Sequence, residues 1–102
     1  MIHVLAIITT KPGMRDTILA AFRANMAAVH AEDGCIEYGP AIDAEGFAAG
    51  KALGADTFVV IEKWASLDAL KAHAAAPHMT AYGAKTREHV ASRTIHVLSP
   101  AT

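Results

Sequence analysis

A chain of 102 residues has the size of one domain, so one core and one site per chain are expected, with no room for a separate cofactor-binding module. Apolar residues make up 53% of it, high for this length, which predicts that a homodimer hides surface that one copy cannot. Nine Lys and Arg against ten Asp and Glu, scattered rather than clustered, exclude nucleic acid and an anionic membrane surface as partners.

Residues 2 to 10 (IHVLAIITT) are β-branched and apolar on both faces, a strand that ends at the turn signal Lys11-Pro12-Gly13. A strand apolar on both sides needs two covers, helices on one face and a partner's sheet or a ligand on the other. Met14, Ile18, Phe22, Met26 and Val29 then fall at helical spacing, and Gly34 ends that helix. Cys35 to Asp43 reads as a second strand with Ile36, Tyr38 and Ile42 on one face, and Pro40 marks an edge or a bulge. Residues 44 to 56, with Gly46, Gly50 and Gly54, are long for a hairpin connection; a plain hairpin is preferred over a lid.

Thr57 to Trp64 is the third strand, with Phe58, Val60, Glu62 and Trp64 on one face and Val59 and Ile61 on the other. Ser66 offers an N-cap to a helix through Leu67, Leu70 and His73 or Ala74. Pro77 interrupts it and suits the first position of a new helix, expected to run to His89 ahead of a last strand from Ser92 to Leu98. The order β-α-β-β-α-α-β matches a ferredoxin-like α+β fold, an antiparallel sheet with helices on one face. Its other face is left for the same face of a second copy, an isologous contact.

The Ile2 to Ile8 run, broken by His3, is too short to span a bilayer and has no basic n-region or small-residue cleavage site, so a cytoplasmic location is expected. Cys35, the only cysteine, excludes an internal disulfide framework and reads as a small buried hydrophobe rather than a nucleophile.

Six histidines stand out, because imidazole exchanges protons near neutral pH. His78, Tyr82, Lys85 and His89 are spaced to share one helix face, and the break at Pro77 can turn His73 and His78 into one space. His89 is read as a solvated position. A zinc site would want H-x3-H on one unbroken helix or cysteine pairs; neither is present, so no metal is expected. Glu62 beside Trp64 on an apolar wall is costly unless it is paired, protonated or at an exposed strand end, which marks it as a candidate with a task.

Gly34-Cys35-Ile36-Glu37-Tyr38, then Glu62-Lys63-Trp64-Ala65-Ser66, then His73 with Pro77-His78-Met79, resemble the GCxxY, ExWxS and HxxxPHM blocks of the antibiotic biosynthesis monooxygenase domain. The order and spacing are similar to the small bacterial quinol monooxygenases within it. The resemblance implies a dimeric ferredoxin-like α+β barrel with an apolar cavity between sheet and helices in each subunit. It also implies oxidation of a quinol or related aromatic phenol by O2 with no cofactor. Other members isomerise small phosphorylated ketones, and a haem-degrading branch uses an Asn on the first strand. This first strand has no Asn, so haem is disfavoured.

Cofactor-free oxygenation requires a base that turns a phenol-like hydroxyl into an oxyanion able to reduce O2. From a phenol near 10 to an imidazole near 6.5 the transfer is uphill by roughly 5 kcal/mol, so a donor near the oxyanion in a dry site must recover much of it. The expected assignment is His73 or His78 as general base, Tyr82 or the other histidine as donor, and Tyr38, Phe58, Glu62 and Trp64 around a flat aromatic substrate. Alternatives are a dimer that binds an apolar metabolite without turnover, and an isomerase of a phosphorylated ketone, for which only Lys85, Arg87 and Arg93 offer cations near the C-terminus.

Overall fold

The computed structural model describes residues 1–47 and 50–102. It runs β1 (Ile2–Thr10), α1 (Arg15–His30), β2 (Cys35–Ala41), β3 (Thr57–Trp64), α2 (Leu67–Ala74), α3 (Pro77–Thr86), a 3-10 turn (Arg87–His89) and β4 (Val90–Leu98). The strands form one antiparallel sheet in the order β2-β3-β1-β4, the ferredoxin-like α+β arrangement read from sequence. Among the described residues no helix is long and apolar enough to cross a membrane.

The pairing register builds the core. Ile2, Val4, Ala6 and Ile8 of β1 stand opposite Trp64, Glu62, Val60 and Phe58 of β3, and all eight side chains are buried under the helices. Ile18, Phe22 and Val29 of α1 pack onto them, with Met26 at the margin, as the four-residue spacing predicts; Met14 serves as the N-cap residue instead of a helical one. On the opposite sheet face the paired Leu5 and Ile61 stay largely exposed. Beyond Val90 every residue of the edge strand β4 is exposed, Ile95 and Val97 included.

Three boundaries differ from the sequence reading. In β2, Cys35 pairs with Trp64 and Glu37 with Lys63, so Ile36 is an extra residue in a bulge. Cys35 and Tyr38 therefore share the inner face, while Ile36 and, past the strand end, Ile42 are exposed. The last helix stops at Thr86, whose hydroxyl donates to the Tyr82 carbonyl at 2.9 Å, and tightens into the 3-10 turn. His89 therefore leaves the expected helix face, and its carbonyl accepts from Lys11 N–H at 2.8 Å as β4 begins at Val90.

The Asp43 carboxylate accepts the backbone N–H groups of Leu53 and Gly54, both at 2.9 Å, which ties together the two ends of the β2–β3 connection. Residues 48 and 49 of that connection, part of the stretch read as a hairpin or a lid, lie outside the described residues. Gly34 turns the chain from α1 into β2 at φ +82°, and its carbonyl accepts from Ala65 N–H at 2.8 Å. A Cβ there would stand 2.7 Å from the Ala69 Cβ. Gly34→Ala is expected to cost about 1–2 kcal/mol from the left-handed backbone alone, with the clash in addition, read as a lower urea midpoint.

Candidate active site

Between sheet and helices lies a cavity of about 890 Å³. Its floor is the inner sheet face, Val4, Ala6 and Ile8 of β1, Val60 and Glu62 of β3, and Ile95 and Val97 of β4. Its roof comes from Phe22 of α1, Leu70 and His73 of α2, and Met79 and Tyr82 of α3. Tyr38 reaches the wall because it pairs with Glu62 on the inner face, and its ring stacks on Phe22 at 5.0 Å with the planes 10° apart. Tyr82 meets Phe22 edge-on at 6.0 Å.

The two other aromatic residues expected around the ligand sit elsewhere. Phe58 is buried against Phe22 below the cavity, and Trp64 is fully buried; neither lines the wall. Trp64 Nε1–H donates to Glu62 Oε1 at 2.9 Å, which is how a carboxyl comes to be tolerated on that apolar strand face. Burial pushes the Glu62 carboxyl up, and Glu32 adds to the rise, while the Trp64 hydrogen bond and the His73 ring pull it down.

A carboxyl raised in the folded state binds more protons folded than unfolded between its two pKa values, so its contribution to stability falls as pH rises through that window from the ordinary 4.5. Glu62→Gln keeps an oxygen for Trp64 and removes the buried charge. It is expected to stabilise the fold at about pH 8 and to lose that advantage near pH 4, read as urea midpoints at both pH values.

His73, in the last turn of α2, lies over the Trp64 indole with ring centroids 4.6 Å apart and meets Tyr38 edge-on at 5.5 Å. Its Nδ1 is 2.8 Å from Glu32 Oε2, and His78 Nε2 is 2.8 Å from the same oxygen. A carboxylate oxygen offers only lone pairs, so both rings donate to it. With Nδ1 carrying the proton, a neutral His73 keeps its lone pair on Nε2, the nitrogen 3.9 Å from Glu62 Oε1.

Thus the break at Pro77 does bring His73 and His78 to one point, through an acid from the turn after α1 that sequence spacing did not single out. His78 does not line the main cavity. It borders a smaller one of about 210 Å³ with Tyr82 and Lys85, the helix face expected from their spacing.

Burial is also the first cause that pushes the phenols of Tyr38 and Tyr82 up, with Glu62 adding for Tyr38 and with Thr86 and Arg93 pulling Tyr82 partly back. Both remain O–H donors at neutral pH. Of the other histidines, His30 Nε2 bonds the Tyr38 carbonyl at 2.8 Å, and His3, opposite Lys63, is on the outer sheet face.

The family model described as antibiotic biosynthesis monooxygenase matches residues 1–85. The chain belongs to the antibiotic biosynthesis monooxygenase family. It is 34% identical over 102 residues to the Escherichia coli K12 protein named "Probable quinol monooxygenase YgiN", covering 98% of both chains. Among solved structures, Rv0793 from Mycobacterium tuberculosis superposes with a TM-score of 0.81 at 27% identity, covering 99% of this chain and 95% of that one. PA3566 from Pseudomonas aeruginosa, at 24% identity and a TM-score of 0.82, covers 99% and 94% and supports the shared fold. Membership supports a monooxygenase-type function.

Proposed function

We propose that this protein is a cofactor-independent monooxygenase that oxidises a quinol or a related aromatic phenol with O2. One observation carries the reading: His73 is fixed through Nδ1 by Glu32 and leaves Nε2 free beside Glu62 on the wall of a mostly apolar cavity large enough for a fused aromatic ring. Nε2 takes the proton of a bound quinol hydroxyl. The positive ring so formed faces Glu32 Oε2 at 2.8 Å, His78 holds that oxygen from its other side, and Nε2 returns the proton to the peroxide as water leaves. Tyr82 and Tyr38, held protonated by burial, donate to the oxyanion.

The quinolate delivers electrons to O2, ring and oxygen join as a peroxide, and loss of water leaves a hydroxylated quinone. Quinol plus O2 thus gives hydroxyquinone plus water, and the substrate supplies every electron. Phe58 and Trp64 act from below, Trp64 by holding Glu62 and backing the His73 ring. The working unit is a homodimer in which a second copy covers the outer face around Leu5 and Ile61; light scattering should give twice 10.7 kDa.

The test is oxygen uptake by metal-free protein supplied with a reduced naphthoquinol. Uptake well above the protein-free blank, with a hydroxylated quinone as product, supports the reading; uptake equal to the blank refutes it.

A second reading draws on Lys71, Arg87 and Arg93, which line the cavity together although they are scattered in sequence. They suit an anionic substituent, and a phosphorylated ketone isomerised through His73 would use them. Deuterium exchange into such a ketone, followed by NMR, with no oxygen uptake from any quinol, would favour that reaction over oxygenation.

A further inference from the structure

Glu32, His73 and His78 come from three different elements, the turn after α1, the last turn of α2 and the first turn of α3. Their ligand atoms lie within 4.8 Å of one another, with both ring nitrogens 2.8 Å from one carboxylate oxygen. Tetrahedral zinc at bonds of about 2.0–2.1 Å separates its donors by about 3.3 Å, so opening each N···O distance by about 0.5 Å makes room for an ion. Two imidazoles and one carboxylate suit zinc and its neighbours, whereas Mg²⁺ and Ca²⁺ want oxygen donors throughout. Access is graded: the His78 side chain is 28% exposed, Glu32 13% and His73 6%. An ion therefore approaches past His78, and its remaining position faces water on that side.

We propose that Glu32, His73 and His78 form an inhibitory binding site for a zinc-like divalent transition-metal ion. The ion takes the place of the two ring protons that now bond Glu32. A His73 that gives its Nδ1 lone pair to a metal must carry its proton on Nε2, and an Nε2–H cannot accept a proton from a substrate. Metal binding stands on the three-residue geometry alone; the inhibition rests on the proposed role of His73 as base.

Zn²⁺ is titrated into metal-free protein by calorimetry, and Co²⁺ binding is followed by visible absorption, for wild type, Glu32→Gln, His78→Ala and His78→Gln. One equivalent per chain is expected, with a tetrahedral cobalt spectrum. Each variant should lose at least about 100-fold in affinity, the upper end of what disturbing a ligand's own support costs. Two His78 variants with intact circular dichroism guard against a folding defect in either one.

In parallel, Zn²⁺ is added to the wild type during naphthoquinol oxidation. Inhibition with the midpoint of the binding curve supports the whole proposal. No saturable binding, or binding unchanged in all three variants, overturns the site and leaves the catalytic reading untouched. Stoichiometric binding without inhibition overturns the inhibitory role and His73 as the base together. Turnover that rises with Zn²⁺, Co²⁺ or Fe²⁺ overturns the inhibitory assignment.

Discussion

His73→Ala is expected to lower quinol-dependent oxygen uptake by about 10²–10⁴-fold, the range over which a positioned general base contributes. The loss should fall on kcat, with KM little changed, because the cavity walls that hold an aromatic ring remain and only proton removal is lost. His78→Ala should lose less. Its ring reaches the cavity only through Glu32, and without it the carboxylate still accepts from His73 Nδ1. Glu32→Gln should fall between the two: the side chain can still orient His73, but it no longer faces the protonated ring with a charge. Oxygen-electrode rates for the three variants give this ordering directly. A His73→Ala protein that folds and still oxidises at the wild-type rate removes His73 from the mechanism and turns attention to Glu62, the other proton acceptor on the wall.

The ordering also explains what could be read in the sequence. The strand alternation of Phe58, Val60, Glu62 and Trp64 and the helical stripe of Ile18, Phe22 and Val29 are periodic, and periodicity is what fixes a buried face. Ser66 was equally legible: its Oγ accepts from Ala69 N–H at 3.1 Å, as an N-cap serine should.

Glu32 belongs to no period. It sits in an irregular turn, 41 residues before His73 and 46 before His78, and only the tertiary fold closes those separations. The same limit holds for any metal site, since a search for two histidines one turn apart on an unbroken helix cannot see a carboxylate supplied by another element. The bulge at Ile36 is a second case. One inserted residue exchanged the inner and outer faces of the start of β2, moving Ile36 outward and Cys35 inward. Sharing a strand face with the cavity also proved weaker than lining it: Phe58 and Trp64 lie on the right face but under the aromatic layer of Phe22 and the His73 ring.

Trp64 should dominate stability as His73 dominates rate. Its side chain is 0% exposed, so Trp64→Ala is expected to cost about 3–5 kcal/mol through lost burial and the cavity left behind. It also leaves the Glu62 carboxyl without its indole donor, for about 1–3 kcal/mol more. Against a total stability of about 5–15 kcal/mol, that variant should be largely unfolded or melt tens of degrees lower. Trp64→Phe narrows the question, because it keeps an aromatic ring in the site while removing the N–H together with the smaller part of the indole. Without that bond only the His73 ring still pulls the Glu62 carboxyl down, so Glu62 rises further and the variant's deficit should grow with pH through the Glu62 window. Glu62→Gln in the Trp64→Phe background removes the stranded charge and should recover part of the loss. Urea unfolding of the four proteins as a double-mutant cycle reads how much more the indole N–H is worth to a carboxyl than to an amide. A coupling of less than about 0.5 kcal/mol would mean that the indole N–H does no more for a carboxyl than for an amide; a larger one makes Trp64 the residue that lets this fold hold a carboxyl beside its proposed base.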